Sequence, residues 1–189
     1  MVVILIISGV MAMGAGQLIN PNEHRRAQVR KLAIETKELR TAARLQNSTF
    51  RLAILMDNEK GHKFWVESAS GHTLQMTEEQ EKELDKLTAI QREGAMKGKS
   101  TFTKDKKLGK EVALSGGLVF EGIEISGKSK ETTTGLAYVY FFPQGLSDEA
   151  LIKIGDRKNQ HWTIAIHPLT GAARVLNGTL SFKDLQAAQ

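Results

Sequence analysis

Apolar and polar residues divide this chain into three stretches of different pattern. Residues 1–19 carry no charged side chain, and Val2, Val3, Ile4, Leu5, Ile6, Ile7, Val10 and Met11 form a dense apolar block. As a helix, such a stretch reaches about 28 Å, close to the roughly 30 Å hydrocarbon thickness of a bilayer. It is apolar all round rather than striped, which suits lipid or a helix bundle better than the core of a small domain. Gly9, Gly14 and Gly16 allow close approach of neighbouring helices, so 1–19 is expected to be a transmembrane and assembly segment in which Gly9, Gly14 and Leu18 join the apolar block as contact residues. A cleaved signal would open with basic residues, which are absent here, although residues 12–15 have the small side chains of a cleavage site. The nearest cations follow the segment, and by the positive-inside rule alone they would hold the large domain in the cytoplasm. A short basic leader upstream of Met1 is therefore expected.

Beyond Pro21, which is expected to kink or restart the helix, the pattern changes to a stripe: Val29, Leu32, Ala33, Thr36, Leu39 and Ala43 recur at helical spacing. An amphipathic helix over 22–46 should turn this stripe to a folded domain and leave Arg25, Arg40 and Arg44 on the opposite side.

From residue 47 onward the period shortens. Phe50, Leu52, Ile54 and Met56 alternate with their neighbours, and a polar run at 57–61 returns the chain into 63–67, which reads as a hairpin. Thr77, followed three residues later by Gln80, is a capping box opening a helix with Leu84, Leu87 and Ile90, closed by Gly94. Residues 96–110, rich in Lys, Gly and Thr, read as an exposed loop that adds nothing to the core. Strands follow at 118–125, 136–142, 150–154, 162–166 and 172–176, and their short connections favour antiparallel pairing. Trp162, Ile164 and Ile166 should face the core, with His161, Thr163, Ala165 and His167 on the other face. Residues 168–171 and Gly116-Gly117 read as turns. The fold class is α+β: a long N-terminal helix, membrane-embedded in its first half, packed on an antiparallel β-sheet or β-sandwich. Residues 1–46 form the helix, and 47–189 form a β-rich domain with an insertion at about 77–134.

Charge sharpens this picture. The chain has 189 residues, a net charge of +5 and a pI near 9.4. Arg25, Arg26, Arg30, Lys31, Lys37, Arg40, Arg44 and Arg51 face only Glu23, Glu35 and Glu38 in their segment, an excess equal to that of the whole chain. Cations just past an apolar segment can meet headgroups, a partner's carboxylates or DNA. Arg25, Arg26, Arg30, Lys106 and Lys107 are the candidate contacts to an anionic partner. There is no cysteine, which removes disulfides and thiolate chemistry.

Catalytic patterns are missing. The five histidines, His24, His62, His72, His161 and His167, show no metal-ligand spacing, and no nucleophile elbow or phosphate-cradling glycine motif occurs. Glu121 and Glu124 are expected on opposite strand faces, a poor arrangement for an acid and base pair. Trp65, Trp162, Tyr138 and Tyr140 could stack on bases only if exposed together. No enzyme activity, cofactor or metal is expected.

Several segments resemble a known family. Residues 1–10, Met-Val-Val-Ile-Leu-Ile-Ile-Ser-Gly-Val, are similar to the interior of the N-terminal helix of type IV pilins and type II secretion pseudopilins. Residues 140–145, 162–175 and the hairpin at 49–67 resemble the minor pseudopilin H and FimT-like group. The match covers roughly half of the chain, and 77–134 lies outside it. The resemblance implies a bacterial inner-membrane protein, single-pass, with its globular domain in the periplasm. It further implies a leader removed by prepilin peptidase before a methylated phenylalanine, and assembly with other minor and major pseudopilins on the secretion platform. A FimT-like minor pilin that binds DNA is the alternative, and a membrane-tethered periplasmic enzyme the reading of another class.

Overall fold

The computed structural model describes residues 21–69, 102–156 and 160–187. Residues 1–19, with every apolar contact residue named above, and the helix expected from Thr77 to Gly94 lie outside the described residues.

Helix α1 spans Pro21–Gln46, 26 residues and so about 39 Å long. Its end is set locally. Asn47 adopts the left-handed conformation, φ 47°, while Ser48 N–H donates to Ala43 O at 3.1 Å and Asn47 N–H to Arg44 O at 3.4 Å. This is a Schellman closure with asparagine in the place glycine most often takes.

Nine strands follow. They are β1 (Thr49–Met56), β2 (Lys63–Ala69), β3 (Thr103–Lys104), β4 (Val112–Ala113), β5 (Leu118–Ile125), β6 (Gly135–Phe141), β7 (Ala150–Asp156), β8 (His161–Ile166) and β9 (Ala173–Asn177); a short helix, α2 (Phe182–Ala187), closes the described chain. The first sheet runs β3-β2-β1-β6, with β4 also paired to β2, and the second runs β5-β7-β8-β9; every pairing is antiparallel. The α+β architecture of two sheets beside a long helix is thus observed, and β3, β4 and β5, all within 77–134, belong to those sheets.

One core joins the layers. Phe50, Leu52 and Ile54 of β1 and Val139 and Phe141 of β6 meet Ile123, Ile152, Ile154, Trp162 and Ile164 of the second sheet. Val29, Leu32, Thr36, Leu39 and Ala43 of α1 are buried against it, as the helical stripe requires. Helix α1 packs across strands of both sheets, β1 and β6 on one side and β8 and β9 on the other.

Four expectations about burial are corrected. Arg25 does not lie on the solvent side of α1: it precedes Val29 by four and Leu32 by seven residues, which places it on the buried stripe, and it is 8 % exposed. Arg40, four residues after Thr36, is likewise half-buried rather than free. The loop read as adding nothing to the core contains β3 and supplies Leu108, packed against the core. Thr163 is fully buried because the chain after β9 folds back over it: the Thr163 hydroxyl donates to Gly178 O at 2.7 Å and accepts from Leu180 N–H at 2.9 Å.

A β-bulge between Phe120 and Gly122 shifts the register of β5 by one residue. The extra residue, Glu121, puts the next outward position at Glu124, so the two carboxylates share one face instead of opposing faces.

Candidate functional site

The junction between helix and sheets is where this fold places most of its unusual chemistry. At its N-terminal end, Arg25 Nε donates to Gly116 O at 2.8 Å, and its Nη1 lies 3.0 Å from Asp156 Oδ2. Both side chains are buried, and Asp156 Oδ1 also accepts from Gln160 N–H at 2.9 Å. Gln28, one turn on, bonds Ser115 through both ends of its amide. The turn at Gly116 and Gly117, with φ of 70° and 79°, presents these acceptors to the helix.

The C-terminal end of α1 is held differently. Arg40 Nε donates to Gly145 O at 2.7 Å and its Nη2 to Leu169 O at 3.4 Å. Gly145, φ 85°, and Gly171, φ 57°, lie against the aliphatic stems of Arg44 and Arg40, where a Cβ would collide. The two loops are tied to each other by Ser147 N–H donating to Pro168 O at 2.8 Å. Arg40 thus meets carbonyl oxygens where Arg25 meets a carboxylate.

A groove runs between α1 and the strip formed by β2, β4 and the loop before β4. Its wider part, about 360 Å³, is lined by His24, Gln28, Lys31, Phe64, Val112 and Leu114. The narrower part, about 180 Å³, continues past Lys31 to Glu35, Glu38, Trp65, Lys107 and Lys110. Burial here raises the Glu35 carboxyl above its ordinary range; Lys31 opposes that rise and Glu38 adds to it.

The outer face of the first sheet carries a cluster that no sequence signal announces. Arg51 of β1 is 4 % exposed, with its guanidinium carbon 4.1 Å from the Phe102 ring centre and 3.9 Å from that of Tyr138. Glu67 on β2 accepts from Arg51 Nε at 2.7 Å and from Trp65 Nε1 at 2.8 Å. Beside it, Lys63 and Lys104 approach the Trp65 ring and share Glu111, whose carboxyl their hydrogen bonds hold down to about 2. Trp65, Tyr140 and Trp162 are all buried, so these aromatics form no open platform for bases.

The predicted contacts to an anionic partner are divided by the structure. Arg25 is consumed by Asp156. Arg26 and Arg30 project to solvent from one face of α1, whereas Lys106 and Lys107 are exposed on the turn after β3. Glu121 pairs with His161 Nδ1 at 2.9 Å, and Glu124 lies 3.6 Å from Lys153, which also binds Glu131. Each carboxylate therefore has its own partner side chain, and the two form no acid and base pair. Among the described residues no group of three His, Cys, Asp or Glu side chains could hold a metal, and no helix is long and apolar enough to cross a membrane.

No protein-family model and no curated protein matches the sequence. Among solved structures, two of the minor pseudopilin EpsH of the type II secretion system of Vibrio cholerae align with the chain. One has a TM-score of 0.45 at 11 % identity, covering 80 % of this chain and 95 % of that one. The other has a TM-score of 0.49 at 12 % identity, covering 84 % and 97 %. The chain is similar to these minor pseudopilins over most of its length, at a level that by itself carries no argument about function.

Proposed function

We propose that the chain is a non-enzymatic structural subunit of a pilus-like fibre, of the minor pseudopilin kind. Residues 1–19 hold it in the inner membrane before assembly, and the β domain stands in the periplasm. The observation that carries this reading is a 26-residue helix fastened at both ends to a two-sheet domain and preceded in the sequence by a stretch, residues 1–19, without a charged side chain. Such an object suits mechanical work. Lipid and a bundle of like helices are similarly apolar, so moving the rod from one to the other costs little, and close packing at Gly9 and Gly14 selects the bundle. The arginines that lock α1 to the sheets make the domain follow the rod. The resemblance of 49–67, 140–145 and 162–175 to the minor pseudopilin H and FimT-like group supports a minor subunit of such a fibre.

The test is fractionation and co-purification. Cells producing the full chain should yield it in the membrane fraction, associated with other pilin-like subunits. Recovery only as a soluble monomer overturns the reading.

A further inference from the structure

Four large apolar side chains stand exposed on the described surface, and two of them lie on neighbouring loops beside the C-terminal end of α1: Leu146 in the β6–β7 loop at 45 % exposure and Leu169 in the β8–β9 turn at 65 %. Arg40 joins them: its guanidinium bonds Gly145 O, one residue before Leu146, and the carbonyl of Leu169 itself. Arg44, exposed, lies along Gly145. Neither arginine has a carboxylate within ion-pair distance among the described residues.

The platform is stiff. Phe142 N–H donates to Leu146 O and Gly145 N–H to Phe142 O, both at 2.9 Å, while Gly171 N–H donates to His167 O at 2.8 Å. With the Ser147 to Pro168 bond joining the two loops, little conformational freedom is left to lose on binding. Exposed leucines from two joined loops, flanked by Arg40, oriented by carbonyl oxygens, and by Arg44, form the apolar centre and charged rim of a docking surface.

We propose that this end of the molecule docks an acidic amphipathic segment of a neighbouring fibre subunit, with its apolar side chains on Leu146 and Leu169 and its carboxylates on Arg40 and Arg44. The proposal rests on the reading of the chain as an assembly subunit and adds the surface and the partner's chemistry. Charge complementarity selects the occupant. A nucleic acid would satisfy the two guanidinium groups and leave the leucines in water, whereas an uncharged apolar segment would cover two cations without giving them a partner. A lipid surface is disfavoured by position, since the patch lies at the opposite end of α1, about 39 Å long, from the end that the apolar residues 1–19 precede in the sequence.

The test uses the full chain in detergent micelles. The probe is a fluorescein-labelled synthetic helix with leucines on one face and glutamates beside them, read by anisotropy against the same peptide with lysines for glutamates. The acidic peptide should bind wild type and lose about tenfold in affinity in Arg40→Ala/Arg44→Ala and in Leu146→Ser/Leu169→Ser, with Arg26→Ala/Arg30→Ala within about twofold of wild type. Because Leu146 and Leu169 are exposed, that pair of changes leaves folding intact and keeps the test decisive if the arginine variant unfolds.

Equal loss in the Arg26 and Arg30 control, or equal binding of the lysine peptide, would reduce the effect to general charge or detergent and overturn the proposal. Displacement of the peptide by phosphatidylglycerol added to the micelles would assign the patch to lipid. Arg40-dependent dimers seen by sedimentation without peptide would assign it to a second copy. Either result overturns the proposal. Fibre recovery from cells reads the parent function separately: a wild-type chain that binds the peptide with the expected variant pattern but never enters a fibre supports the patch and removes the assembly reading.

Discussion

Arg25 and Arg40 sit fifteen positions apart on one helix and one face, yet the fold gives them opposite situations. Arg25 meets a buried carboxylate, Asp156, and its charge is neutralised inside the protein. Arg40 meets only carbonyl oxygens of two loops, and its charge is oriented but left uncompensated. The first arrangement fixes the helix to the domain. The second does so more weakly and keeps a cation available at a surface rich in leucine. A charged residue on a buried stripe is thus read correctly only with its acceptor in view.

The largest expected effect would break this contrast at its buried end. Arg25→Ala leaves Asp156 charged and enclosed, and should lower stability by about 3–5 kcal/mol in urea unfolding of the full chain in detergent. Arg25→Met combined with Asp156→Leu should restore most of the loss, because no uncompensated charge remains. If the single and double variants are equally destabilised, the pair is not what fastens this end of the helix.

At the other end, Gly171→Ala should cost about 1–3 kcal/mol, since it adds a Cβ against the Arg40 stem at a positive φ. Arg40→Ala should cost about 1 kcal/mol, the net worth of its hydrogen bonds to two carbonyls. Equal losses for Arg25→Ala and Arg40→Ala would erase the difference between the two ends.

A further effect concerns the joint between the sheets. Phe120 N–H of β5 donates to His62 Nδ1 at 3.2 Å, which requires an unprotonated nitrogen. Burial lowers the His62 pKa below its ordinary 6.5, against the pull of Asp57. The unfolded chain therefore binds this proton more readily, and stability should fall as pH drops below about 6.5 until the folded-state pKa is passed. His62→Asn should flatten that part of the stability profile.

The smallest effect belongs to Glu111, exposed between Lys63 and Lys104. Its folded pKa of about 2 lies below the ordinary 4.5, so its contribution is complete above 4.5 and fades as pH falls toward 2. Carboxyl titration by NMR should show the value return toward 4.5 in Lys104→Ala, with little change in melting temperature, as exposed ion pairs contribute little.

The strands of both sheets were legible in sequence to within a residue or two, because alternation and glycine turns are local. β3 and β4 were not: two residues each, they exist only through pairing with the edge of β2, and nothing in their own sequence marks them. The bulge at Glu121 escaped for a similar reason, since only the partner strand β7 reveals the extra residue. Arg51 looked like one more cation of a basic segment, and became the centre of an aromatic cluster once Phe102, about a third of the β domain away in sequence, was laid over it.

The sequence by itself determined the uncharged opening stretch, the helical stripe behind it, the alternating strands and the absence of catalytic spacing. Each of these is a property of neighbours along the chain, set by the 3.6- and 2-residue periods of helix and strand. Tertiary structure alone decided which arginines are neutralised, which carboxylates share a face, and that leucines of two distant loops, Leu146 and Leu169, meet beside Arg40. Those outcomes depend on which residues distant in sequence the two sheets bring within a few ångströms, where hydrogen bonding and desolvation act, and local periodicity carries no record of that.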